Sequence, residues 1–194
     1  MSIRRELINN LYDEAYSLIH DDDISKRFFS LVKYISNNNL LTNDEKSIVI
    51  KRYNADCDYF KVLFNKGRCK KCEICNENRL ATFYCEYCIR KYLESIFPSW
   101  SSGNNDVDNL IKNYQMNSIT PHMIIEWIPY ENLENIEISA KGGSSDIYSA
   151  IWKNGHYNEW DFLEKKIKRV GPCKVILKYL EDDEIANRTW FEEV

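Results

Sequence analysis

The sequence predicts an α+β protein in which a helical N-terminal region and a cysteine-rich module precede a strand-rich C-terminal part. Three observations predict this class. Apolar residues recur at intervals of three and four over the first 66 residues, which is typical of amphipathic helices. Five of the seven cysteines lie between positions 69 and 88. Short β-branched and aromatic runs, typical of strands, follow Pro121.

Two helices are predicted at the N-terminus. Their apolar positions are Ile3, Leu7, Leu11, Ala15 and Leu18, then Phe28, Leu31, Val32 and Ile35. The acidic run at 21–23 should end the first helix and begin the second, because short carboxylates favour helix N-caps. A third helix should begin at Thr42, since Glu45 three residues later completes a capping box, and should continue towards Gly67. We expect residues 1–66 to be a small helical region.

The cysteine spacing predicts a metal site. Cys72 and Cys75 form one CxxC pair, and Cys85 and Cys88 form a second pair after nine intervening residues. Two such pairs can present four thiolates to one Zn²⁺ ion, and all-cysteine ligation is typical of a structural rather than a catalytic site. We therefore predict a zinc module over residues 67–97. Cys69 could replace one of the four ligands, because it lies three residues before Cys72.

Other interpretations of the cysteines remain open. The thiols could be free, or one CxxC pair could be a redox site, although a redox site would need a strand-to-helix context. Cys57 and Cys173 are distant in sequence from the cluster and are expected to be unpaired thiols.

Composition and charge narrow the function classes. The chain carries 26 basic and 30 acidic residues, a net charge of −4 over 194 residues, which argues against nucleic acid as a partner. No apolar run approaches the ~18 residues that a membrane helix needs, and the N-terminus lacks a signal-peptide pattern. We expect a cytoplasmic protein with no membrane partner.

The C-terminal half divides into a linker and a strand-rich part. Residues 98–123 are predicted to be a linker with a short helix from Asp106 to Tyr114. Strands are predicted at 124–130, 136–138, 147–152 and 175–180, and residues 182–194 are expected to begin a helix. We therefore treat 124–194 as the last unit of the chain.

The segment from Ile136 to Lys178 has a particular order: a strand, a turn at Gly142 and Gly143, a second strand, a polar insertion at 153–172 and a third strand. In this order it resembles the N-terminal lobe of a protein kinase. In that family a glycine-rich hairpin covers the ATP phosphates, and a lysine on the third strand pairs with a glutamate of the next helix.

The resemblance implies roles for individual residues. The catalytic lysine and its partner would be Lys178 and Glu193, with Glu192 as a neighbouring candidate. The nucleotide-binding positions would be Ala140, Gly142, Gly143, Ser145, Ile147 and Ile176. ATP with Mg²⁺ is the cofactor that the family uses.

Further segments are similar to a kinase-like family expanded in arbuscular mycorrhizal fungi. That family places a helical, cysteine-bearing region before a kinase domain, which is the order predicted here. The resemblance covers nearly the whole chain. It is carried by 63–65, 81–88, 100–111 and 126–130, which read LFN, ATFYCEYC, WSSGNNDVDNLI and EWIPY.

The sequence also departs from the kinase pattern. Ala140 and Ser145 replace two of the three loop glycines, which stiffens the backbone near the phosphates. Asp146 adds a negative charge there, and Ile176 replaces the small residue that usually faces adenine. We therefore expect ATP binding to be weak or absent.

The sequence reaches Val194 before any His-Arg-Asp or Asp-Phe-Gly segment. From this we expect an incomplete kinase N-lobe, truncated before the catalytic loop and inactive alone, whose family function is ATP-dependent protein phosphorylation. The alternative is a non-catalytic, zinc-containing module that binds a partner protein. A truncated gene product with no independent role is a third interpretation.

Overall fold

A computed structural model of the chain describes residues 3–141 and 145–180. Its architecture is α+β, as predicted, with helices in the first 116 residues and small antiparallel sheets mostly after residue 132. The predicted helix at 182–194 lies outside the described residues, and so do Gly142, Gly143 and Glu193.

Three helices form the N-terminal region: α1 (Arg5–Leu18), α2 (Ile24–Asn37) and α3 (Asn43–Leu63). The predicted caps are confirmed. Asp23 accepts hydrogen bonds from the backbone N–H groups of Ser25 and Lys26 at 2.9 and 3.1 Å. Thr42 and Glu45 form the predicted capping box at the start of α3. The apolar faces meet in one core, whose buried members are Ile8, Leu11, Tyr12, Ala15, Leu31, Ile35, Leu41, Val49 and Tyr53.

The cysteine-rich segment forms a second, separate core with parts of the C-terminal half. A two-stranded ribbon, β1 (Lys70–Lys71) and β2 (Asn78–Arg79), precedes helix α4 (Glu86–Ile96). The buried members of this second core are Cys72, Ala81, Tyr84, Cys85, Cys88, Ile89, Leu93, Ile124, Tyr157, Trp160 and Ile167. The last four come from beyond residue 123, so the cysteine-rich segment shares its core with the C-terminal half.

Helix α5 (Asn105–Met116) includes the predicted short helix. The strand predicted at 124–130 is wrong, because this run has no ladder partner and is held by side chains instead. Gln115 Nε2 donates to the carbonyl of Ile125 at 2.8 Å, and the Glu126 carboxylate accepts the N–H of Tyr157 at 3.3 Å. The β-branched and aromatic residues of this run favoured a strand, but no other strand pairs with it among the described residues.

Five strands lie within residues 133–141 and 145–180: β3 (Leu133–Lys141), β4 (Ser145–Trp152), β5 (Tyr157–Asp161), β6 (Lys166–Arg169) and β7 (Cys173–Leu180). The antiparallel sheet β3-β4-β7 contains the three strands predicted around the glycine turn. The polar insertion is itself structured, since β5 and β6 form a hairpin whose Trp160 and Ile167 enter the second core.

In the part of the chain that the structure describes, no helix combines the length and the apolar character that a bilayer span requires.

Candidate metal centre

Local structure brings the two cysteine pairs together. Cys72 and Cys75 lie in the turn between β1 and β2, which is closed by hydrogen bonds from Asn76 N to Cys72 O and from Cys72 N to Glu77 O, both 2.9 Å. Asn76 has a φ of 61°, a left-handed conformation that asparagine tolerates well. Cys85 is the N-cap of α4, and Cys88 lies in its first turn. The turn between β1 and β2 and the start of α4 thus supply two sulfurs each.

The four sulfurs form a compact cluster. All four Sγ atoms lie within 4.8 Å of one another. The Sγ atoms of Cys72 and Cys88 are 3.7 Å apart, and those of Cys75 and Cys85 are 3.6 Å apart. Three of these cysteines are buried and Cys75 is half-buried. The arrangement can hold a metal ion such as zinc, as the spacing of the two CxxC pairs predicted.

Cys69 lies outside this cluster. Its side chain is exposed, and it is not one of the four residues whose sulfurs converge. Cys57 is buried on α3, and Cys173 is half-buried on β7. The four sulfurs therefore belong to the two CxxC pairs.

The thiols of the cluster differ in acidity before a metal binds. Burial raises the pKa of Cys85 to about 11, and burial also raises the pKa of Cys88. Burial opposes ionisation of Cys72 as well, but backbone N–H groups of Cys75 and Ile74 point at its sulfur and lower its pKa to about 7. A metal must displace protons from the more basic thiols, so its affinity will depend on pH.

Two side chains, the buried Glu86 and the half-buried Arg79, fix the loop between the cysteine pairs. The Glu86 carboxylate accepts the N–H groups of Leu80 and Ala81 at 3.0 and 3.1 Å. The guanidinium of Arg79 donates to three backbone carbonyls of the same loop, at 2.6 to 3.1 Å. These bonds hold Cys85 in register with the first pair.

A third side chain, which is buried, comes from the helical region. Asp58 on α3 accepts the N–H groups of Thr82 and Phe83 at 2.7 and 2.8 Å, and Lys61 Nζ lies 3.2 Å from its other oxygen. Sequence reasoning missed Asp58, because no local pattern links a helix carboxylate to a loop 24 residues later. The signal available was weak: an acidic residue on the buried side of an amphipathic helix.

The structure places several predicted nucleotide-site residues on one face of the sheet β3-β4-β7. Ala140 pairs with Ile147, and Ile147 pairs with Lys178, so the three lie in one row across the strands. Ile176 lies on the same face, two residues before Lys178, and is 62% exposed. Ser145 is the first residue of β4. The predicted pair of Lys178 with Glu193 involves a residue outside the described part and stays a prediction.

No family model, curated protein or solved structure matches this chain. The resemblance to a kinase-like family therefore stays an expectation from the sequence motifs.

Proposed function

We propose that this chain is a non-catalytic protein-interaction module whose cysteine-rich segment is stabilised by one structural Zn²⁺ ion. The observation that carries the proposal is the convergence of four cysteine sulfurs within 4.8 Å of one another.

Distances between the sulfurs support zinc. Ligand sulfurs about 2.3 Å from a tetrahedral Zn²⁺ ion are separated from one another by about 3.8 Å. The two Sγ–Sγ distances of 3.7 and 3.6 Å are close to this value. Four protein ligands leave no open position for water or substrate, which favours a structural role for the ion.

An exposed apolar row supports a protein partner. Ile138 pairs with Tyr148, and Tyr148 pairs with Leu177, so the three share the face of the sheet opposite Lys178. Ile138 is 57% exposed, and Tyr179 on the same face is 59% exposed. Contiguous apolar surface of this kind commonly marks a protein contact.

Metal analysis tests the zinc part of the proposal. We expect about one zinc per purified chain. Iron also accepts four thiolates, so it is measured in the same samples, and no stoichiometric iron is expected. Cys88→Ser should lower the zinc content well below one. The matched control Cys69→Ser changes an exposed cysteine outside the cluster and should leave it unchanged. Equal zinc content in both variants would contradict the proposed ligands.

Affinity capture after mild cross-linking in the source cells tests the interaction part. A partner retained by the wild type should be lost with Ile138→Asp, which places a charge in the apolar row. It should be kept with Glu137→Gln, a change on the opposite face of the same strand. If all three chains retain the same proteins, or if none is retained, the apolar row is not the interaction surface.

A second candidate function is nucleotide binding on a kinase-like N-lobe. It is favoured by the row of Ala140, Ile147 and Lys178, the residues that the family resemblance places around ATP. Under this proposal the family activity is ATP-dependent protein phosphorylation. Titration with ATP and Mg²⁺ tests it, and micromolar affinity that disappears in Lys178→Met would support it over the interaction module.

A further inference from the structure

A cavity separate from the cysteine cluster lies between α3, the loop before Cys85 and the β5–β6 hairpin. Its volume is about 730 Å³. Pockets of this size accommodate small organic ligands, which typically occupy clefts of ~300 to 1,000 Å³. The sequence predicted no binding function for the residues that line this cavity.

Apolar and aromatic side chains make up much of the lining. Ile48 and Ala55 contribute from α3, and Phe83 contributes from the loop before Cys85. Trp160 and Phe162 contribute from the hairpin. Phe83 is 52% exposed, so a ligand that covers its ring would remove apolar surface from water. Aromatic walls favour an aromatic ligand, because offset and edge-to-face ring contacts add to simple burial.

Charged groups on the α3 side of the cavity contact neighbouring side chains. Asp56 accepts the hydroxyl hydrogen of Tyr12, and Asp58 is paired with Lys61. The guanidinium of Arg52 lies 3.8 Å from the ring centroid of Tyr12, and no carboxylate of the described residues pairs with it.

The titratable groups on the opposite side of the cavity also have partners. Glu159 forms an ion pair with Lys51 of α3. His122 Nδ1 is 2.8 Å from Thr120 Oγ1, and burial lowers the pKa of His122, which keeps the imidazole neutral. Around the cavity, the positive charges of Lys51, Arg52 and Lys61 balance the negative charges of Asp56, Asp58 and Glu159. A charged ligand would lose hydration without meeting an excess of opposite charge, so an uncharged ligand is favoured.

Two amides supply hydrogen-bonding capacity on facing walls. Asn54 on α3 and Asn158 on β5 both line the cavity and are half-buried. Within residues 3–141 and 145–180, neither side-chain amide makes a hydrogen bond. Each amide offers both a donor and an acceptor. A ligand that covered them without replacing their water would incur a desolvation cost, so the ligand edge should carry both kinds of group.

We infer that this cavity binds an uncharged aromatic compound whose edge carries a hydrogen-bond donor and an acceptor, as an aromatic carboxamide does. The inference goes beyond the proposed function, because it uses neither the cysteine cluster nor the apolar row of the sheet. Its failure would leave the zinc and interaction proposals untouched.

Titrations of the isotope-labelled, metal-loaded full chain with three small probes test the inference by NMR. Indole-3-carboxamide carries the required chemistry, indole-3-carboxylate adds a charge, and cyclohexanecarboxamide lacks the aromatic ring. We expect the first to bind at about millimolar affinity or better, consistent with its small size. We expect the other two to bind at least about tenfold more weakly. The perturbed signals should include the Trp160 indole N–H and the side-chain amides of Asn54 and Asn158.

Matched variants localise the site. Asn54→Ala should weaken carboxamide binding about 2- to 10-fold, the usual effect of one hydrogen bond. Phe162→Ala should weaken it by a similar factor through the lost ring contact. The controls are Asn10→Ala, an exposed helical asparagine, and Leu163→Ala, which is 92% exposed beside Phe162. Equal binding of the carboxylate, perturbations elsewhere, no binding at about ten times the expected dissociation constant, or equal loss in the controls would each overturn the inference.

Discussion

Asp58 on helix α3 accepts the backbone N–H of Phe83 at 2.8 Å, across 25 positions of sequence. The same carboxylate oxygen accepts the neighbouring N–H of Thr82 at 2.7 Å. One buried carboxylate thus joins the helical region to the loop that leads into the second cysteine pair. This is a link between the two cores that does not depend on apolar packing.

Replacing Asp58 with alanine should destabilise the protein strongly. The substitution leaves two backbone N–H groups and the Lys61 ammonium without their partner, and breaking a buried ion pair typically costs about 3 to 5 kcal/mol. Urea unfolding of the metal-loaded chain measures the loss. The control Asp13→Ala, at an exposed position of α1, should change stability by no more than about 0.5 kcal/mol. Similar effects for the two variants would mean that the Asp58 bonds contribute little.

Breaking the ion pair between Arg169 and Glu126 should also destabilise the protein. Their nearest atoms are 2.5 Å apart, Glu126 is buried, and the Arg169 guanidinium also lies 3.9 Å from the ring centroid of Tyr157. Arg169→Leu should cost about 3 kcal/mol, because it leaves a buried carboxylate without its counter-charge. Adding Glu126→Gln to Arg169→Leu should restore part of the loss, because the glutamine carries no charge. Thermal unfolding would show this recovery, and a double variant no more stable than the single one would argue against the pair.

The stability lost in the Arg169→Leu variant should also depend on pH. Burial raises the pKa of Glu126, and the attraction of Arg169 opposes that shift. A buried acid with a raised pKa destabilises the fold as pH rises from its unfolded pKa towards the raised folded one, because the folded state then has to hold the charged form. The loss caused by Arg169→Leu should therefore be larger at pH 8 than near pH 4, where the carboxyl group is largely protonated in both states. A loss that is independent of pH would mean that Glu126 is solvated once Arg169 is removed.

Asp56 should titrate well above an ordinary aspartate. Burial raises its pKa to about 6. Between about pH 4, where an unfolded aspartate titrates, and pH 6, the folded state binds more protons than the unfolded state. Through this group alone, stability should fall as pH rises across that window. NMR detection of the Asp56 carboxyl carbon gives the midpoint directly, and Asp56→Asn should remove this part of the pH dependence. A midpoint near 4 would show that the carboxyl group is hydrated.

The parts of the fold that the sequence predicted are those set by local patterns. The caps at Asp23 and Thr42 depend on residues within three positions, and the two CxxC pairs depend on short spacings. The strand predicted at 124–130 did not form, and the carbonyl of Ile125 accepts a hydrogen bond from the distant Gln115 side chain instead, which no local pattern records. Asp58 could not be predicted for the same reason, because its backbone partners Thr82 and Phe83 are distant in sequence.

The hairpin β5–β6 shows a further limit. Residues 153–172 were predicted from the sequence to be a polar insertion. In the structure Ile167 is buried beside Trp160, and Arg169 bonds Glu126 from a position 43 residues away. A short polar segment that buries alternate residues against a distant helix carries too few apolar positions to be distinguished from a loop.

ATP should bind weakly to this chain. Ile176 is 62% exposed and Lys178 is also exposed, so within residues 3–141 and 145–180 the face of the sheet that carries them would cover a nucleotide on one side only. Ligands that bury little surface bind weakly, and we expect a dissociation constant of about 1 mM or higher. Calorimetric titration with ATP and Mg²⁺ gives the affinity, and Lys178→Met should change it little. Micromolar binding that is lost in Lys178→Met would show that the kinase resemblance outweighs the open geometry.

Removing the metal should loosen one core and spare the other. The four clustered cysteines are surrounded by the second core, which also contains Tyr157, Trp160 and Ile167 of the C-terminal half. The three-helix core contains none of the clustered cysteines. Because metal binding supplies folding free energy to a small module, chelation should raise hydrogen exchange in α4 and in the β5–β6 hairpin. Exchange in α1 and α2 should change little.

The response of α3 separates two kinds of coupling. If Asp58 transmits the loss of metal, amides near the C-terminal end of α3 should exchange faster after chelation, whereas those near Thr42 should not. Cys88→Ser should reproduce this pattern without a chelator, and Cys69→Ser should not, since Cys69 lies outside the cluster. Uniform acceleration over all three N-terminal helices would mean that the two cores unfold as one unit. Unchanged exchange in α4 would mean that the cysteine cluster is stable as free thiols and that no structural metal is needed.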